Sequence, residues 1–125
     1  MIIDSVEQRV QRPQKQQDAD GFYSGKKKQH TLKVQVAVDE ETGAVCDIAD
    51  SVAGPTADIT LLAQSELLQR LPDGVGAIGD LAYVGIAALH PQGLGASPCR
   101  KPQGKDRPPE DVCFNQAFSR RRIRV

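Results

Sequence analysis

His30-Thr31-Leu32-Lys33-Val34-Gln35-Val36-Ala37-Val38-Asp39 is the stretch on which the fold turns. Leu32, Val34, Val36 and Val38 alternate with Lys33, Gln35 and Ala37, which is the two-residue period of a half-buried strand with its β-branched residues on one face. Glu41-Thr42-Gly43 is a turn signal, and Ala44–Val52 reads as the strand that returns antiparallel to the first. On the N-terminal side, residues 7–24 are polar, contain Pro13 and many Gln, and read as a loop or weak hairpin. Before them Met1–Ile3 is a short apolar run, the edge of a strand, that ends on Asp4.

On the C-terminal side Gly54-Pro55-Thr56 breaks the sheet. A helix follows to about Leu71, with Thr56 or Asp58 as its cap, Ile59, Leu62, Leu68 and Leu71 as its apolar stripe, and Glu66 paired with Arg70. Pro72-Asp73-Gly74 closes that helix. Val75–Gly79 reads as a short buried strand ending on Asp80, and residues 81–91 hold a short helix. Residues 92–109 are rich in Gly and Pro and form a loop, with a short strand around Ser97–Arg100. Pro108-Pro109 opens a last helix with Glu110 and Asp111 in its first turn and arginines in its last, both placements favoured by the helix dipole; Phe114 and Phe118 should face the core. The order of elements predicts an α/β chain: a mixed sheet with helices on its faces, forming one domain or part of one over residues 1–125.

Composition removes several function classes. The chain is 39% apolar and 26% charged, enough to build a core. No apolar run approaches the roughly 20 residues that cross a bilayer, and Met1–Val10 has neither a basic lead nor an apolar signal core, so the expectation is a cytoplasmic protein with no membrane partner. Cys46, Cys99 and Cys113 are odd in number and far apart, which argues for reduced thiols rather than disulfides or a zinc site. Glycines 74, 76 and 79 precede no helix start suited to a dinucleotide, and Gly25-Lys26-Lys27 is not a nucleotide phosphate loop.

The formal net charge of zero hides a pattern. Residues 1–33 carry seven Lys/Arg and four Asp/Glu, residues 34–98 one and nine, and residues 99–125 eight and three. An acidic middle between basic flanks suits an enzyme whose carboxylates collect metal ions while cations hold phosphates; chance segregation on a solvated surface gives the same pattern. Asp4 and Asp80 each end an apolar run. If their strands are parallel neighbours, the two carboxylates project from one rim about 4.8 Å apart and repel one another unless a cation lies between them. Such a site takes Mg2+ or Mn2+, although a strand-ending aspartate also serves as a plain turn former. Lys26, Lys27 and Lys28 stand just before a strand, where they either contact a phosphate backbone or guard an exposed edge; Arg120–Arg124 has the same two readings.

Five blocks in order resemble the DDE-superfamily endonuclease domain of bacterial insertion-sequence transposases. Ile2-Ile3-Asp4-Ser5 resembles the strand with the family's first catalytic aspartate. Residues 23–33, from Tyr23 through Lys26-Lys27-Lys28 to His30 and Lys33, are similar to its "YSGKKKxHTxK" block. Gly54-Pro55-Thr56-Ala57-Asp58 resembles its "PGxxHD" turn, and Gly79-Asp80-Leu81-Ala82-Tyr83-Val84-Gly85 its "xDxGYxG" block with the second aspartate. Asn115, Ser119, Arg122-Ile123 and Val125 match the closing "NxxxSxxRIxVE" helix. The second and last blocks are the specific ones.

The resemblance implies a ribonuclease H-like fold, a divalent metal held by Asp4 and Asp80, and cutting and joining of DNA, with transposon ends and target DNA as partners. It also makes Lys26, Lys27, Lys28, His30, Lys33, Lys101 and Arg122 DNA-facing, and leaves homo-oligomerisation open. The chain departs from the pattern at Ala57, often His, and at Ala82, usually Gly, where the turn after the second aspartate is expected to be crowded. The motif's glutamate falls directly after Val125, and Glu110 and Asp111, about 20 Å away along the helix, cannot replace it. The expectation is therefore a partial catalytic domain without strand-transfer activity; the alternative is a non-catalytic module that binds DNA or a transposase.

Overall fold

The central strand β3, Gln29–Val38, pairs antiparallel along its full working length with β1, Ile2–Arg9, from Ile2 opposite Val38 to Arg9 opposite Thr31. The computed structural model describes residues 1–15 and 21–123; residues 16–20 of the polar stretch, and Arg124 and Val125 of the closing block, lie outside the described residues. β1 is thus an eight-residue strand that runs on past Asp4 and takes in residues 7–9, although residues 7–24 read as loop or weak hairpin. Cross-strand pairing to β3 supplies what the composition of Asp4–Arg9 lacks.

β3 is the hub of the sheet. β2, Tyr23–Ser24, makes a hairpin with its start. β4, Val45–Ile48, and β5, Val52–Ala53, pair with its other edge, so the expected returning strand is split in two. β1 continues the sheet by parallel pairing to β6, Ala77–Ile78, and β6 pairs in parallel with β7, Gly95–Ala96. The short strand expected near Ser97 therefore lies two residues earlier. The result is a mixed sheet of order β2-β3-β1-β6-β7 with flanking helices, the architecture of the ribonuclease H-like fold.

The phase of β3 carries a surprise. Its buried face is Thr31, Lys33, Gln35 and Ala37, whereas Leu32, Val34, Val36 and Val38 are only half-buried. Helix α1, Asp58–Ser65, packs on the polar-looking face, and Gln35 Nε2 donates to Ser65 Oγ across the gap at 3.1 Å. The valine side continues into Val6 and Ile48, which are exposed.

The helix expected from 58 to 71 breaks at Glu66, whose φ of 55° is left-handed, and resumes as α2, Leu67–Arg70. The break turns Leu61 and Leu62 of one piece and Leu67 and Leu68 of the next into the core, beyond the single stripe expected. Arg70 forks onto Asp47 of β4 at 3.1 and 3.2 Å, tying the helix pair to the sheet. Ala57, not Thr56 or Asp58, occupies the cap position of α1, and no side chain caps it.

After β6 the chain forms a 3-10 turn, Leu81–Tyr83, and a single helical turn α3, Ile86–Leu89. Ile3, Ala37, Leu62, Leu67, Leu68, Ala77, Tyr83 and Ile86 make one core beneath the sheet. Helix α4, Pro109–Ile123, keeps the expected acidic start and basic end. Phe118 is buried while Phe114 is half out of it, so the pair stacks along the helix rather than both entering the core. Asn115 clasps the Cys99 backbone, donating to its carbonyl and accepting from its amide, and Arg121 grips Glu40 in the β3–β4 turn. The three thiols are free. No described helix is long and apolar enough to cross a membrane.

Candidate functional site

The parallel pairing that places Ile2 beside Ile78 sets the register of everything that follows. Two residues on, in the same extended phase, β1 reaches Asp4 and the β6 segment reaches Asp80, whose backbone is still extended. The two-residue alternation, continued from this pair, would turn both side chains to the face that Ile2 and Ile78 share, on segments spaced as neighbouring strands are, about 4.8 Å. Asp4 is exposed and Asp80 half-buried. Each uses Oδ1 for a local backbone amide, that of Ser5 for Asp4 and that of Ala82 for Asp80, both at 2.9 Å. Neither carboxylate has another hydrogen-bond partner among the described residues. No group of three or more Asp, Glu, His or Cys able to hold a metal occurs among the described residues. Two hard oxygen donors on one rim still suit Mg2+, which keeps several waters and often takes only one or two carboxylates.

The turn at Ala82 is not crowded. Its methyl is exposed and its amide closes the 3-10 turn onto Asp80. The glycine that the site does require is Gly79, since a Cβ there would lie 2.7 Å from the ring of Tyr83. That ring is fully buried against the backbone leading into Asp80.

Lys26, Lys27 and Lys28 sit exposed on the β2–β3 hairpin, with Lys28 in the left-handed region at φ 53°. Gln29, where β3 begins, is seven residues from Val36, the partner of Asp4, or about 23 Å along the strand. A cleft of about 390 Å³ runs between this hairpin and the Gly54–Asp58 turn and reaches Ala82, two residues beyond Asp80. His30 is half-buried and meets the Tyr23 ring edge-on at 5.4 Å. Lys101 is exposed on the loop that Asn115 anchors, and Arg122 is half-buried on the last turn of α4.

Lys33 differs from that group in its burial. Only 8% exposed, it lies beneath the sheet, where Nζ meets Asp58 Oδ1 at 2.8 Å, donates to the Thr56 carbonyl at 2.6 Å and has Glu7 Oε1 at 3.9 Å. Two of its three ammonium hydrogens are thus taken inside the protein, while Lys33 still lines the cleft beside Lys26. Sequence reading also passed over the surroundings of Lys33. Ser5 Oγ donates to the same Asp58 Oδ1 at 2.9 Å, and buried Ser24 donates to Glu7. The available signal was the strict alternation of Ser5 and Glu7 with Asp4, which puts them on the opposite face from it.

Tyr83 closes this buried layer. Its phenol is pushed well above the ordinary tyrosine range, first by burial and then by the charge of Asp58, with Asp4 and Asp80 adding smaller contributions. Ser5 stands near enough to offset part of this, yet the hydroxyl completes no hydrogen bond of ordinary geometry. All three aspartates therefore lie within electrostatic reach of one neutral phenol.

Residues 3–125 match the family model described as DDE superfamily endonuclease. A protein of Microchaete diplosiphon described as the probable transposase for insertion sequence element IS702 is 30% identical over 125 residues. That similarity takes in all of this chain and 43% of the length of that relative. No solved structure matches the chain.

Proposed function

Because the chain belongs to the DDE superfamily of endonucleases, we propose that residues 1–125 form part of a transposase catalytic domain and contribute Asp4 and Asp80 as the metal-holding carboxylates of a DNA-cutting centre. The observation that supports this reading is the parallel pairing of Ile2 with Ile78, two residues ahead of Asp4 and Asp80 on neighbouring segments. The chemistry a divalent cation supplies in such a place is activation of a water or 3′-hydroxyl and stabilisation of the leaving oxygen at a phosphodiester. The chain's own part is to present two carboxylate oxygens, Oδ2 of each residue, while the Ser5 and Ala82 amides hold Oδ1 in place. Lys26, Lys27 and Lys28 track the backbone of the DNA partner without reading its sequence, and His30, Lys101 and Arg122 extend that basic surface. With no third ligand among the described residues, the 125-residue chain alone should bind metal weakly and carry out no strand transfer.

The test is calorimetric titration of the chain with Mn2+. Asp4→Asn and Asp80→Asn, both on the rim rather than in the core, should each weaken binding about tenfold or more while leaving the unfolding temperature near wild type. Binding that ignores both substitutions refutes the assignment. The exposed lysine hairpin favours a second reading, a non-catalytic DNA-binding module. It requires DNA binding that is steeply salt-dependent yet indifferent to chelators and to Asp80→Asn.

A further inference from the structure

Asp58 is the point at which three separate segments meet. It opens helix α1, which packs against β3 and against the 3-10 turn that follows Asp80. One oxygen, Oδ1, accepts from Ser5 Oγ of β1 and from Lys33 Nζ of β3. Ser5 is the residue next to Asp4, and its amide is the one that steadies the Asp4 carboxylate. Tyr83, three residues beyond Asp80, is wedged against Gly79 on the other side of the same buried layer. The side chains of Lys33 and Asp58 are only 11% and 15% exposed, so the link sits out of bulk water, where charged hydrogen bonds hold geometry tightly.

We propose that Asp58 is a positioning residue of the two-aspartate centre: through Ser5 and Lys33 it fixes β1 against β3 and α1, and through α1 it fixes the 3-10 turn, so that Asp4 and Asp80 keep the separation one cation requires. The inference rests on the assignment of Asp4 and Asp80 made above. Asp58 itself faces away from them, since Ser5 points to the opposite side of β1 from Asp4. Its effect on the metal is therefore indirect, as for the outer partners that orient metal ligands elsewhere.

Ser5→Ala is the sharpest probe, because it cuts the tie to β1 and leaves the Lys33–Asp58 ion pair intact. Titrated with Mn2+, the Ser5→Ala chain should lose about tenfold in affinity with little change in unfolding temperature, and Ser5→Thr, which restores a hydroxyl, should recover it. Asp58→Asn should fall between them. In metal-free protein the amide resonances of Asp80 and Leu81 should shift in Ser5→Ala and Asp58→Asn, beyond the direct effect that either substitution has on the neighbouring Tyr83 phenol. If Ser5→Ala and Asp58→Asn bind Mn2+ as wild type does while Asp4→Asn does not, the positioning role is overturned. If wild type binds no Mn2+, the assignment of Asp4 and Asp80 fails, and the amide shifts alone then decide the linkage: no movement at Asp80 and Leu81 overturns it.

Discussion

Replacing Lys33 by Met tests the buried layer most directly. The substitution keeps an unbranched apolar stem but leaves two carboxylates, Asp58 and Glu7, facing each other with no cation between them. Their side chains are 15% and 9% exposed, so water cannot do for them what it does for a surface pair. Removing one member of such a buried cluster costs about 3–5 kcal/mol, against roughly 0–1 kcal/mol for an exposed pair. At about 4 °C per kcal/mol for a chain of this size, the unfolding midpoint should drop by roughly 12–20 °C. Lys33→Met combined with Asp58→Asn removes one of the stranded charges. The double variant should therefore be more stable than the sum of the two single losses predicts, by about 1 kcal/mol or more. Thermal and urea unfolding of the four proteins in the cycle supply the numbers. Strict additivity, or a loss below about 1 kcal/mol in Lys33→Met, would show that the cluster is solvated and would sink its description as a buried clamp.

Three other outcomes follow from the same geometry. Gly79→Ala drives a methyl into the Tyr83 ring and should destabilise the chain by about 1–3 kcal/mol in urea unfolding; a neutral result would mean the ring is free to move aside. Triple replacement of Lys26, Lys27 and Lys28 by Ala should weaken binding to any duplex and flatten the plot of log affinity against log salt by about 2–3, whereas an unchanged slope would take the hairpin off the DNA. Glu40, held below the ordinary glutamate range chiefly by its hydrogen bonds to Arg121, adds stability above its unfolded value, and that contribution is lost as the pH falls through its lowered folded value. In Arg121→Ala the Glu40 carboxyl should titrate back toward the usual range by NMR, and the acid-side loss tied to it should vanish.

Much of this molecule is legible in its residues. The alternation of residues 30–39, the turn at Thr42-Gly43, the apolar run into Asp80 and the charge-matched last helix are local patterns, and local sterics and periodicity set them without help. The block order that resembles the endonuclease family is likewise a property of the string, and it is what singles out Asp4, Asp80 and the three lysines as candidates. Other features depend on what each segment packs against. Residues 7–9 belong to a strand because β3 offers them a continuous partner, and no intrinsic preference of Glu7, Gln8 and Arg9 says so. The buried face of β3 is the one with Thr31, Lys33 and Gln35 because α1 lands there, with Asp58 and Thr56 meeting Lys33 and Ser65 meeting Gln35. Hydrophobic periodicity reports that a strand has two faces, but it ranks those faces by oiliness, and a face held through the Lys33 ion pair and the Gln35 hydrogen bond escapes it. For the same reason Lys33 reads from the sequence as one more cation of a basic block, and only the tertiary structure, by closing two carboxylates around it, makes it part of the interior.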